Sequence, residues 1–252
     1  MSVKKICRGK GKLAVAGAAY ISGSKLTNEY DGFTHDYTQK FGVMHTEIML
    51  PSHAPPEYKD RHTLWNAIEK IEKSVDAQLA RSFDIALPKE LSYSENISLV
   101  REYIQTNFIR CGMCADFAIH DQHNGNDNVH AHIQLTTRKI KPNGEWDSKE
   151  RKAYALDENG ERIPLIDPAT GSQKVDGNNR KQWRRVKTLV NDRNERDNME
   201  LWRKSWADIC NKYLEDYHIQ IGHRSYARQS IAKIPSVHLG KTTRCITTST
   251  SG

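Results

Sequence analysis

The chain has 252 residues, 37% apolar and 27% charged, with a formal net charge of +7 and an isoelectric point near 9.1. That is long enough to bury a core of its own. No run approaches eighteen consecutive apolar residues, and "MSVKKICRGKGKLAV" lacks the apolar stretch of a secretory signal, so no membrane insertion and a cytoplasmic location are expected. The basic balance favours an anionic partner, nucleic acid first.

Residues 2–7 read as a short strand. Residues 12–24, "KLAVAGAAYISGS", read as a small-residue helix that packs closely against a neighbour, and 28–40 as a polar loop. "GVMHTEIML" (42–50) reads as a strand halted by "PSHAPP". The periodicity of 61–81 predicts a helix with Leu64, Ile68, Ile71 and Val75 on one face. "SFDIALP" (82–88) is a short strand, and "SENISLVREYIQTNFI" an amphipathic helix with Ser94 as N-cap.

"CADFAIH" and "VHAHIQLTTR" are two strands joined by the polar loop "DQHNGNDN", which suits a hairpin. From 138 to 180 turn signals dominate, predicting an extended hairpin or a mobile insertion. A long helix is expected at about 194–217, and no internal repeat is evident. The order of elements gives an α+β class with a central, largely antiparallel sheet flanked by helices. The five cysteines are dispersed; Cys111 and Cys114 form a C-x-x-C without a second pair, so no disulfide framework is expected.

The chemistry concentrates in 120–138, with four histidines within thirteen residues. On a strand, His130 and His132 face the same side. A hairpin brings His120 beside them, and three imidazoles can hold a divalent ion with positions left open. His123, in the loop, ranks fourth. Asp84 stands alone among apolar residues and is the candidate carboxylate to orient one imidazole. Neutral imidazole ligands favour zinc, nickel or copper over magnesium in vitro. Two basic runs, "KKICRGKGK" and "RKQWRRVK", suit a phosphate backbone.

The segments "RGKGKLAVAGAAYISGSKL", "THDYTQKFGVMHTEIMLPSHAPPEY", "LARSFDIALPKEL", "HNGNDNVHAHIQLTTR" and "GHRSYARQSIAKIPSVHLG" resemble, in order and spacing, the MobA/MobL (MobQ) family of conjugative relaxases. The resemblance covers about 6 to 240 and implies an HUH endonuclease fold; one domain is expected over 1–240, with a tail at 241–252 that is unlike the family's continuation and expected to be disordered. It implies an enzyme that nicks one strand at a plasmid origin of transfer by tyrosine attack, forming a reversible 5′-phosphotyrosine link. The tyrosine of the family motif matches Tyr20, and the triad matches His120, His130 and His132. The family's acidic residue, usually glutamate, matches Asp84, one methylene shorter. The residue after the motif tyrosine is often arginine; here it is Ile21.

The implied cofactor is Mn2+ or Mg2+, with zinc or nickel accepted in vitro. The implied partners are single-stranded or melted DNA at the origin, relaxosome accessory proteins and a coupling protein. Arg8, Lys10 and Lys12 flank the Tyr20 helix as DNA contacts. Tyr37 is a rival nucleophile or lines the DNA path; Tyr30 is a second rival. His223, Arg224 and Tyr226 are further backbone or stacking contacts. The residues by themselves leave open a hydrolase using metal-bound water and a non-catalytic DNA-binding module.

Overall fold

Antiparallel pairing at every neighbour builds a five-stranded sheet in the order β1-β5-β7-β6-β4. The strands are β1 (Ser2–Cys7), β4 (Val43–Met49), β5 (Gln78–Ala86), β6 (Ala115–His120) and β7 (His130–Thr136). The computed structural model describes residues 1–121, 129–190, 198–224 and 228. The expected loop "DQHNGNDN" lies outside them from 122 onward, as does the tail 241–252.

Alternation along the strands sorts the two faces. Ala115, Phe117 and Ile119, with Ala131, Ile133 and Leu135, join one buried cluster with Leu99, Tyr103 and Ile104 of helix α3 (Tyr93–Asn107) and Trp202 and Trp206 of helix α4 (Asn198–Tyr213). The opposite face carries helix α1 (Ala14–Ser22) and helix α2 (Arg61–Ile71), whose Ala14, Val15, Ala18, Leu64, Trp65 and Ile68 form a second cluster. The architecture is therefore α+β, a central antiparallel sheet flanked by helices on both faces.

Helix α1 can lie close to the sheet because its residues are small. A Cβ on Gly17 would overlap the Gln134 amide, which itself donates to the Ala14 carbonyl at 2.8 Å. The helix ends at Gly23, whose φ of 63° favours glycine.

Three expectations change. The helix predicted over 61–81 stops at Ile71, and Val75 is 71% exposed. The chain must reverse through Ser74–Ala77 to begin β5, which pairs on both sides; two ladders outweigh a local pattern. The N-cap of α3 is Ser92, which makes a reciprocal capping box with Glu95; Ser94 is inside the helix. The loop predicted at 28–40 carries part of a small ribbon, β2 (Lys25–Thr27) against β3 (Thr34–Asp36). Cys111 and Cys114 form no disulfide.

The turn-rich insertion runs past 180. Strand β8 (Glu150–Tyr154) pairs with β9 (Arg185–Leu189), and a threefold repeat sits between them. Three turns begin Leu156-Asp157, Ile166-Asp167 and Val175-Asp176, and each aspartate accepts a backbone N–H two residues on. Backbone bonds close two rings, one linking 155, 163 and 184 and one linking 165, 174 and 182. Of the helix expected at 194–217, the described part spans Asn198–Tyr213.

Candidate active site

The register of three strands makes the site. His120 on β6 stands opposite His130 on β7, and His132 lies two residues further on the same face. Asp84 on β5 stands opposite His132. The imidazole centroids are 4.5 Å (His120–His132), 4.8 Å (His130–His132) and 5.6 Å (His120–His130) apart. One ring nitrogen from each lies within 4.8 Å of the others.

The end of α1 enters this face from above. The last carbonyls of a helix have no partner within it. Here the Ile21 carbonyl accepts from His120 Nε2 at 2.6 Å, and the Tyr20 carbonyl accepts from Lys40 Nζ at 2.8 Å. A cation at a helix C-terminus also meets the negative end of the macrodipole. These two bonds fix the turn that carries the Tyr20 ring. That ring is 44% exposed, 6.2 Å from the His132 ring and edge-on to Tyr37 at 5.4 Å. The Lys40 ammonium sits 3.4 Å from its centroid.

The hydrogen bonds decide which ring nitrogens are available. A carbonyl only accepts, so His120 Nε2 carries the hydrogen and Nδ1 keeps its lone pair. Burial pushes the His120 pKa down to about 4, which keeps the ring neutral near pH 7. His132 Nδ1 is 2.7 Å from Asp84 Oδ1, and an ionised carboxylate only accepts, so Nε2 of His132 is left for a ligand. The hydrogen bond from His132 holds the Asp84 carboxyl well below the usual carboxylate range despite its partial burial; Lys4, at 2.7 Å, adds to this. The aspartate reaches because it is directly cross-strand from its histidine. Burial lowers the Lys40 pKa to about 8.

This donor set fits a divalent cation: three imidazoles converge, two with their lone pairs assigned, and a carboxylate orients one of them. Donors at about 2.1 Å from one ion stand at most about 4.2 Å apart. The outermost nitrogens therefore need only a small ring rotation to share it.

The MobA/MobL family model matches residues 12–248. The chain belongs to the MobA/MobL family. It is 38% identical over 248 residues to "Probable mobilization protein MobA" of Bifidobacterium longum (strain NCC 2705), covering 98% of this chain and 44% of that protein. It is 32% identical to "Conjugal transfer protein TraA" of Rhizobium radiobacter, over 95% of this chain and 21% of the relative. For "Mobilization protein MobL" of Acidithiobacillus ferridurans the identity is 30%, over 95% of this chain and 61% of the relative. The chain thus spans less than two thirds of each of these curated relatives. A solved structure described as "Molecular Basis of Vancomycin Resistance Transfer in Staphylococcus aureus" superposes with a TM-score of 0.69 at 27% identity, over 89% of this chain and 97% of that one.

Within this MobA/MobL chain the other predicted residues fall differently. Arg8 is a correction. It is 7% exposed, its guanidinium bonds Glu69 Oε2 and the Glu69, Glu72 and Ser74 carbonyls, and it is a structural clamp with no face turned to solvent for DNA. Tyr30 lies under that guanidinium, 4.0 Å from ring centroid to Cζ. Lys10 and Lys12 are exposed. Tyr37 lies against Tyr20. His223 and Arg224 line a cleft of about 290 Å3 with Met1 and Arg203, away from the triad in sequence. Tyr226 and His123 lie outside the described residues. Sequence reasoning missed Lys40 and Lys4. Lys40 arrives through a turn in which its N–H bonds the Tyr37 carbonyl, and no spacing rule foretells where such a turn aims its side chain. Lys4 was findable, since alternation puts it on the Asp84 side of β1. Among the described residues, no helix is long and apolar enough to cross a membrane.

Proposed function

We propose that this chain is the nicking module of a conjugative mobilisation protein, in which Tyr20 attacks a DNA phosphodiester held against the histidine face. The observation that carries the reading is the approach of the half-exposed phenol to within 6.2 Å of the His132 ring, with Lys40 over its face. The relatives named for mobilization and conjugal transfer support it.

Tyr20 Oη bonds to phosphorus, the P–O3′ bond breaks, and the 5′ phosphate stays on the tyrosine. The phenol's proton leaves to water, which the exposure of the ring allows. The Lys40 ammonium over the ring places a positive charge beside the attacking group. Lys40 also holds the Tyr20 backbone, so the oxygen is aimed before DNA arrives. His120, His130 and His132 would hold the divalent cation, which when bound polarises the phosphate oxygens. Mn2+ or Mg2+ follows from the resemblance, while the all-imidazole set suits zinc or nickel in vitro. Asp84 fixes the tautomer of His132. The reverse attack by the free 3′-hydroxyl reseals the strand without ATP, because one phosphate ester replaces another.

Lys10, Lys12, His223 and Arg224 are proposed contacts to the strand, single or melted at an origin of transfer. Accessory relaxosome proteins and a coupling protein complete the proposed setting. The test is a labelled origin strand incubated with protein and Mn2+ and run on a denaturing gel. A protein-linked band that vanishes in Tyr20→Phe is expected. Cleavage without an adduct that survives Tyr20→Phe points to hydrolysis by bound water and sinks the reading.

A further inference from the structure

Phe41 is the most exposed large apolar side chain among the described residues, at 88%. Single exposed apolar residues are ordinary on a protein surface. This one is set apart by how and where it is held. The Asp36 carboxylate accepts from the Thr38 N–H and hydroxyl at 3.1 and 2.7 Å. The Lys40 N–H donates to the Tyr37 carbonyl at 2.9 Å, and the Gly42 carbonyl accepts from the Asp121 N–H at 2.8 Å. The backbone on both sides of the ring is thus tied down, while the ring itself stays in water.

Both chain neighbours of Phe41 belong to the candidate active site. Lys40 covers the Tyr20 ring and bonds the Tyr20 carbonyl, and Tyr20 stands edge-on to Tyr37. Gly42 is bonded to the residue that follows His120, and Val43 pairs with His120 itself. The Phe41 Cα is therefore one chain step, about 3.8 Å, from the Cα of the lysine over the Tyr20 phenol. The adjoining stretches also carry the carboxylates of Asp36 and Asp121. Those charges oppose a phosphate at the ring and leave a neutral base unopposed.

We propose that Phe41 is a stacking platform for a base of the strand whose phosphate lies at the histidine face, beside the cut. This rests on the DNA reading above. An aromatic ring next to a cation is what a single strand meets with its bases and its backbone, and every base offers a flat face, so the contact tolerates any sequence. Because the backbone around the ring is already fixed, little ordering is left for the strand to impose.

The test measures fluorescence anisotropy in metal-free buffer with two labelled strands of equal length, oligo(dT) and an abasic strand with the same phosphates. The phosphate contribution is then common to both. Phe41→Ala should weaken oligo(dT) binding roughly five- to a hundredfold, the worth of one stacked base, and leave the abasic strand bound as before. Phe41→Trp should keep the oligo(dT) affinity, whereas Phe41→Leu, apolar without a flat face, should lose most of it. The ring is exposed, so each variant should keep the melting temperature of the unaltered chain. An unchanged oligo(dT) affinity in Phe41→Ala overturns the proposal and leaves the ring to a protein partner. An equal loss on both strands, or Phe41→Trp falling as far as Phe41→Ala, overturns it too. Cleavage plays no part here. A base-dependent loss without a Tyr20 adduct sinks the nicking chemistry alone, and an adduct without a base-dependent loss sinks the stacking alone.

Discussion

Replacing Asp84 with asparagine tests the orienting role of the carboxylate quantitatively. The His132 Nδ1–Asp84 Oδ1 bond is 2.7 Å and joins a ring N–H to an ionised carboxylate that is 28% exposed. A bond of that kind contributes about 1.5–3 kcal/mol, and a neutral amide acceptor in its place about 1 kcal/mol. The difference, about 1 kcal/mol, corresponds to roughly five- to tenfold weaker metal binding, in the range usual for groups that orient a metal-bound histidine. Asp84→Ala removes the acceptor altogether and should cost up to about a hundredfold. Lys4, whose side chain is 59% exposed, is a surface partner, and Lys4→Ala should change affinity by no more than about threefold. Calorimetric titration of the metal-free chain with Mn2+ and with Zn2+ reads all three. An Asp84→Asn affinity equal to that of the unaltered chain, for both ions, would show that the carboxylate does not act through His132.

Lys40→Met should slow single-turnover strand cleavage about tenfold, the worth of a partly buried cation over a ring, while Lys40→Arg keeps most of the rate and both bind DNA as before; an unchanged rate in Lys40→Met refutes the role. The pH dependence of stability follows from His120, whose folded pKa of about 4 lies below its ordinary 6.5. The unfolded chain takes up that proton first, so this contribution is whole above about 6.5 and is lost as pH falls toward 4. Melting curves of the metal-free chain should drop across that window, and His120→Gln should flatten the drop. Arg8→Ala leaves Glu69 buried and unpaired, which costs about 3–5 kcal/mol in urea unfolding, whereas Lys10→Ala and Lys12→Ala should stay within about 0.5 kcal/mol.

The imidazole face was legible because two-residue alternation and a hairpin dictate it with no knowledge of the rest of the fold. His130 and His132 share a side by periodicity, and antiparallel return sets His120 opposite His130. Tyr20 was different. Nothing in an alanine-rich helix says what its last ring approaches, and only the family resemblance singled it out. Arg8 misled because a basic cluster looks the same whether its members face solvent or clamp a buried glutamate. Val75 misled because an amphipathic pattern can run on past the point where the chain leaves the helix to begin a strand. The threefold turn repeat escaped because its aspartates, at 157, 167 and 176, are unevenly spaced and its rings close through backbone atoms, which leave no mark on residue identity.

The tie between His120 and the Ile21 carbonyl has an evolutionary side. The atom that anchors this imidazole belongs to the main chain, so no side-chain substitution at position 21 deletes it. The residue there is free to drift, provided it suits the packing, and an alanine scan would pass over the position. Replacing the amide with a backbone ester, which weakens the carbonyl as an acceptor, would expose a dependence that genetics leaves silent.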